Sequence, residues 1–163
     1  MVALGEQAPK FNVPLAGGEA YNDLERFSLE EAIGSGPIVL AFYPAAFTGG
    51  CTTEMKAFSE ALPSFRDLGA QVYGVSVDLP FAQNVWMAEE ELSVPMLSDW
   101  NHELIYAYDV VLPDMYDLVE AAQRSVFVID ADGIITYKWV RDGPNPDFGE
   151  LVEEVREAVV SAR

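Results

Sequence analysis

Apolar positions along the chain fall into alternating short runs and helical stripes. Ile38 to Tyr43 (IVLAFY) and Gln71 to Val77 (QVYGVSV) are short, apolar and bounded by glycine, proline or acid, the pattern of central parallel strands. Between them Met55, Phe58, Leu62 and Phe65 recur at steps of three, four and three, one face of a helix. Pro63 lacks an N–H and is expected to kink or divide that helix. Beyond Asp78 and Pro80, Phe81 to Leu92 reads as a second helix with Val85, Ala88 and Leu92 inward, ended by Pro95. Met96 to Ser98 leads into a short helix from Glu103 to Tyr108. Ser125 to Asp130 and Ile134 to Val140 flank Ala131-Asp132-Gly133, a hairpin signal.

The ends complete the frame. Lys10 to Val13 reads as an outer strand, and Ser28-Leu29-Glu30-Glu31 as a capping box opening a short helix. Asn145-Pro146 starts a last helix with Phe148, Val152, Val155 and Val159 at helical spacing, placed to cover the sheet. The order implies a mixed sheet with helices on both faces. At 163 residues the chain is expected to form one domain, 1–163, burying about two thirds of its surface in a single core.

Charge narrows the partners. With 27 acidic residues against 9 basic ones, the net charge is −18, which makes nucleic acid and anionic membrane poor partners. The acids are spread along the chain, as in a whole-surface adaptation to a high-salt cytoplasm, with an acidic mesophile protein as the alternative. Ala32 to Thr53 is uncharged, but its glycines and prolines argue against a spanning helix. Met1 to Lys10 has no basic segment followed by an apolar run, and the lone Cys51 forms no disulfide within its chain, so a cytoplasmic protein is expected.

Candidate chemistry centres on Cys51, which follows the first strand where its helix begins. Backbone N–H groups and the positive helix end there favour thiolate, although a lone cysteine is also often a small buried hydrophobe. Cys51-Thr52-Thr53-Glu54 is not a C-x-x-C, which excludes a dithiol exchanger. His102 is the only histidine, so neither a zinc site nor a serine hydrolase is supported, and no metal or cofactor is expected. Asp130-Ala131-Asp132-Gly133 reads as a turn rather than a calcium loop.

Pro44-Ala45-Ala46-Phe47-Thr48-Gly49-Gly50-Cys51 has the P-x-x-x-T-x-x-C spacing of peroxiredoxins. The resemblance continues through Thr52-Thr53-Glu54, Val75-Ser76-Val77-Asp78, Trp86, Leu97-Ser98-Asp99 and Arg124 before Val126 to Asp130, nearly the entire chain. It is most similar to the one-cysteine, alkyl hydroperoxide reductase E-type branch, close to the bacterioferritin-comigratory proteins. The position where those proteins often carry a resolving cysteine is Lys56 here.

The resemblance implies a thioredoxin-like α/β fold with the peroxiredoxin N-terminal extension, and a thiol-dependent peroxidase acting on hydrogen peroxide or small organic hydroperoxides. It makes Cys51 the nucleophile, with Thr48 hydrogen-bonding the peroxide, Arg124 stabilising thiolate and transition state, and Pro44 shielding the sulfur. Gly50 and Cys51 would offer backbone N–H groups to the substrate. Glu54, Phe47 and Trp86 would support the site, Glu54 as a dipole-complementing or arginine-orienting residue. Each has a plainer reading beside this one: Thr48 as a helix cap, Gly49 as turn chemistry, Arg124 as half of a surface ion pair. The resolving thiol would come from outside, from a low-molecular-weight thiol, a glutaredoxin-like protein or a thioredoxin. The family also implies a homodimer. A peroxide sensor or adaptor that passes oxidation to a partner protein is the alternative function.

Overall fold

The structure is a computed structural model in which residues 2–18 and 20–163 are described. Nine strands and five helices follow one another along these residues: β1 (Asn12–Ala16), β2 (Leu24–Ser28), α1 (Leu29–Ala32), β3 (Ile38–Phe42), α2 (Gly49–Asp67), β4 (Gln71–Ser76), α3 (Pro80–Glu90), β5 (Met96–Ser98), α4 (Glu103–Ala107), β6 (Val111–Leu112), β7 (Ala121–Ala122), β8 (Ser125–Ile129), β9 (Ile135–Val140) and α5 (Phe148–Ala162). Seven strands form one mixed sheet in the order β2-β1-β5-β4-β3-β8-β9, and β6 and β7 form a separate pair. The β3–β4 and β4–β5 pairings are parallel, whereas β8 runs antiparallel to β3.

Strand periodicity divides the core. In β3 and the residue after it, Val39, Ala41 and Tyr43 join one cluster with Met55, Phe58 and Phe65 of α2, Trp86 and Met87 of α3 and Val152, Val155 and Val159 of α5. The alternate residues Ile38, Leu40 and Phe42 face Leu29, Leu104, Ile105 and Tyr108. A strand alternates its side chains across the sheet, so one run of six apolar residues holds three helices on one face and two on the other.

Several expectations are corrected. Pro63 does not divide α2, which runs unbroken from Gly49 to Asp67. The carbonyl that loses its N–H partner to a proline lies four residues back, at Ser59. That carbonyl accepts from the Ser93 hydroxyl at 3.4 Å, while the Ser59 hydroxyl accepts the Ser93 and Val94 N–H groups. The inward face of α3 is not Val85 and Ala88, both exposed, but Gln83, Asn84, Trp86 and Met87. Gln83 donates to the Leu97 carbonyl at 2.9 Å, and Asn84 donates to the carbonyls of Tyr21 and Asp23, which makes their burial tolerable. The helix ends at Glu91, whose left-handed backbone (φ 54°) stops it four residues before Pro95. The first strand begins at Asn12 and is not an edge, because β2 pairs along its whole length.

Other elements match the pattern. Ser28 caps α1 by accepting from the Glu31 N–H at 3.4 Å. The hairpin turn is held by Asp130 Oδ1, which accepts the N–H groups of Asp132 and Ile134, both at 2.9 Å, and Gly133 supplies the positive φ. In α5 the cap is Asp147, and Phe148, Val152, Val155 and Val159 are all buried.

Candidate active site

The segment between β3 and α2 crosses from the buried centre of the sheet to the surface in six residues. Asp78 anchors it. Its Oδ2 accepts the Ala46 N–H at 2.8 Å and the Ser76 hydroxyl at 2.7 Å. Phe47 then takes a left-handed backbone (φ 65°), uncommon for a bulky residue, and its ring is 54% exposed. That turn leads into Thr48, the N-cap of α2. The Thr48 hydroxyl makes no cap bond; it donates instead to the Ala45 carbonyl at 2.7 Å, so its oxygen retains acceptor capacity. The first helical hydrogen bond runs from Thr52 N–H to Thr48 C=O, which leaves the N–H groups of residues 49–51 outside the helical ladder.

Cys51 sits in this first turn, 1% exposed, at the base of a cavity of about 410 Å³. Pro44, Thr48, Gly50, Arg124, Arg141 and Asn145 line the cavity with it. Arg124, arriving from the start of β8, donates from Nη2 to Cys51 Sγ at 3.3 Å, from Nη1 to Glu54 Oε1 at 2.7 Å and from Nε to Asn145 Oδ1 at 3.1 Å. The Phe148 ring stacks beneath the guanidinium, 5.4 Å from Cζ to the ring centre. A side chain at position 50 would enter this space: a Cβ there would lie 3.0 Å from Asn145 Nδ2 and 3.3 Å from Arg124 Nη2. At position 49 a Cβ would meet nothing.

Electrostatics tie the three groups together. Burial works against the charge on Arg124, but the Glu54 carboxylate and the Cys51 sulfur outweigh it and hold the guanidinium above its ordinary range. Glu54 is fully buried, and burial pushes its carboxyl up to about 7 against the pull of Arg124. The rise follows from the second carboxylate oxygen, since Glu54 Oε2 is buried without a hydrogen-bond partner among the described residues.

The structure brings Pro44, Thr48, Gly50, Cys51 and Arg124 to one cavity and sets Glu54 directly behind it. Arg124 is no surface pair, being 4% exposed. Trp86 is outside the lining but supports it, with Nε1 donating at 3.2 Å to Thr52 Oγ1, whose hydroxyl in turn donates to the Thr48 carbonyl. Phe47 does not line the cavity, and its part is confined to the backbone turn. Sequence reasoning missed Asn145 and Arg141. Asn145-Pro146 reads only as a helix start, and nothing local to either residue points at a site about ninety positions upstream.

Fold and cavity together define a thiol enzyme whose lone sulfur is held by a buried guanidinium at a helix start, on a thioredoxin-like sheet. The AhpC/TSA family model matches residues 4–138. The chloroplast 2-cysteine peroxiredoxin of Chattonella marina var. antiqua is 32% identical, over 94% of this chain and 76% of that protein. The mitochondrial thioredoxin-dependent peroxide reductase of Drosophila melanogaster is 36% identical, over 82% and 57% respectively. Among solved structures, the bacterioferritin comigratory protein of Xanthomonas campestris superposes with a TM-score of 0.76 at 28% identity, covering 91% of this chain and 90% of that one. The chain belongs to the AhpC/TSA family, the peroxiredoxins, and it carries a single cysteine.

Proposed function

We propose that this peroxiredoxin reduces hydrogen peroxide and small organic hydroperoxides through Cys51 alone and is returned to its thiol by an external reductant. The observation that carries the reading is the 3.3 Å contact from Arg124 Nη2 to Cys51 Sγ at the base of the cavity. The Cys51 thiolate attacks one peroxide oxygen, the S–O bond forms as the O–O bond breaks, and the departing oxygen takes a proton to leave as water or alcohol. Negative charge grows on that departing oxygen, and donors aimed at it accelerate the step. Arg124 and the free N–H groups of the first turn of α2 are those donors. The Thr48 hydroxyl, its proton committed to Ala45, accepts from the peroxide O–H. Pro44 covers the sulfur.

The product is a sulfenic acid, and no second cysteine is present in the chain to condense with it. One external thiol displaces hydroxide, released as water, to give a mixed disulfide; a second thiol cleaves it and restores Cys51. With one equivalent of peroxide and no thiol, intact mass is expected to show one added oxygen and a sulfenic-acid trap to label Cys51. A protein left unmodified, or converted at once to Cys51-linked dimers, overturns this cycle.

The setting belongs to the same reading: a cytoplasm of high salt, in which the −18 charge is screened, and a homodimer. The dispersed acids support the first, and the exposed Phe47, Leu79, Phe81 and Trp100 support the second. Equal melting temperatures in dilute buffer and molar potassium chloride would refute the salt adaptation, and a monomer in equilibrium sedimentation would refute the dimer.

A further inference from the structure

The chain has nine basic residues, and two of them line the cavity above Cys51. Arg124 has a partner on each of its three nitrogens, Glu54, Cys51 and Asn145, and its remaining N–H groups face the peroxide step. Arg141 is not so occupied. Among the described residues its only side-chain hydrogen bond is a 3.3 Å donation from Nη1 to the neutral Asn145 Oδ1, and it forms no ion pair with any of them. Its backbone is fixed at this mouth, where its N–H donates at 2.9 Å to the Arg124 carbonyl just after β9, and its side chain is half-buried. Asp114 also lines the cavity but is not paired with it.

Asn145 adds a second donor. Its Oδ1 accepts from Arg124 Nε and from Arg141 Nη1, and two arginine donors on that atom exclude the flipped amide. The NH₂ group therefore turns the other way, towards Gly50 in the cavity lining, and makes no hydrogen bond within the described residues. An unpaired guanidinium beside a free amide donor is chemistry for binding a carboxylate. Hydrogen peroxide has no use for it. The second substrate does: the lone Cys51 takes its resolving sulfur from outside, and a cavity of about 410 Å³ admits a small molecule.

We propose that Arg141, assisted by the Asn145 amide, binds the carboxylate of the low-molecular-weight thiol that reduces oxidised Cys51. The inference rests on the peroxidase reading above and names its reductant by class. The thiol sulfur attacks the Cys51 sulfenic acid, an S–S bond forms as the S–O bond breaks, and the oxygen leaves as water. A second molecule of the same thiol releases Cys51 and departs as the oxidised dimer of the reductant.

The test is a ratio, which cancels any general change in the reactivity of the sulfenic acid. Cys51 is first oxidised with one equivalent of hydrogen peroxide; if no sulfenic acid forms, the peroxidase reading fails at that point. The oxidised protein is then mixed with 3-mercaptopropionate or with neutral 2-mercaptoethanol, each rate being taken per thiolate. The ratio of the two is expected to fall about fivefold in Arg141→Gln, the top of the range for a partly exposed ion pair, and to be largely retained in Arg141→Lys. A ratio unchanged by Arg141→Gln overturns the proposal. So does an effect confined to oxidation by a carboxylate-bearing hydroperoxide relative to tert-butyl hydroperoxide, since the site would then serve the peroxide.

Discussion

Replacing Glu54 with glutamine keeps an acceptor for Arg124 Nη1, now at 2.7 Å, and removes one buried titration. Burial lifts the Glu54 carboxyl from 4.5 to about 7 in the folded protein. A raised acid means that the folded state holds its proton more tightly than the unfolded chain does. Its contribution to stability is therefore fully present below pH 4.5 and is lost as pH rises through about 7. At about 1.4 kcal/mol per unit the full loss is on the order of 3 kcal/mol, with the opposing pull of Arg124 already included. The assay is urea unfolding of the reduced wild type and Glu54→Gln between about pH 5 and 8. The stability of the wild type minus that of the variant is expected to fall across this window and flatten above it. A difference that stays level, or rises with pH, refutes the reasoning, because it would mean that attraction to Arg124 overcomes desolvation.

Two further perturbations probe the geometry around the sulfur. Gly50→Ala pushes a methyl group against Asn145 and Arg124, so oxidation by hydrogen peroxide in stopped-flow is expected to slow by roughly tenfold, whereas Gly49→Ala, facing open space, leaves it within about twofold. Equal rates in the two variants would show that the contact at position 50 is immaterial. Arg124→Lys retains a charge but cannot serve Cys51, Glu54 and Asn145 together, and slowing of about 100-fold is expected in the same assay with the fold retained in circular dichroism. An unchanged rate would remove Arg124 from the chemistry.

The parts of this fold that were legible are those in which one residue type does one job. IVLAFY buries both faces and reads as a central strand, and the 55, 58, 62, 65 stripe reads as a helix. β2 was not visible, because LERFS exposes Glu25 and Arg26 and is a strand only through pairing with β1. The inward face of α3 was misread because Gln83 and Asn84 are buried by bonds to carbonyls at distant positions, which periodicity in apolar residues cannot register. Pro63 was misread for a related reason: the carbonyl it deprives finds its partner, Ser93, more than thirty positions away.

The site divides along the same line. Pro44, Thr48, Gly50 and Cys51 lie within eight residues, so their spacing is local and carries the motif. Arg124 reaches Cys51 only because β8 lies antiparallel beside β3, with Ser125 opposite Phe42, so the residue before β8 stands next to the chain leaving β3. Asn145 is one step further removed. It lies beyond β9, and it meets Arg124 because the register of the β8–β9 hairpin sets Val140 opposite Ser125, returning the chain to the same end of the sheet. The hairpin turn at Asp130 to Gly133 thus governs the chemistry from the far end of its strands: a shift of one residue in that register would send Arg141 and Asn145 away from the sulfur while leaving the Pro44 to Cys51 motif intact.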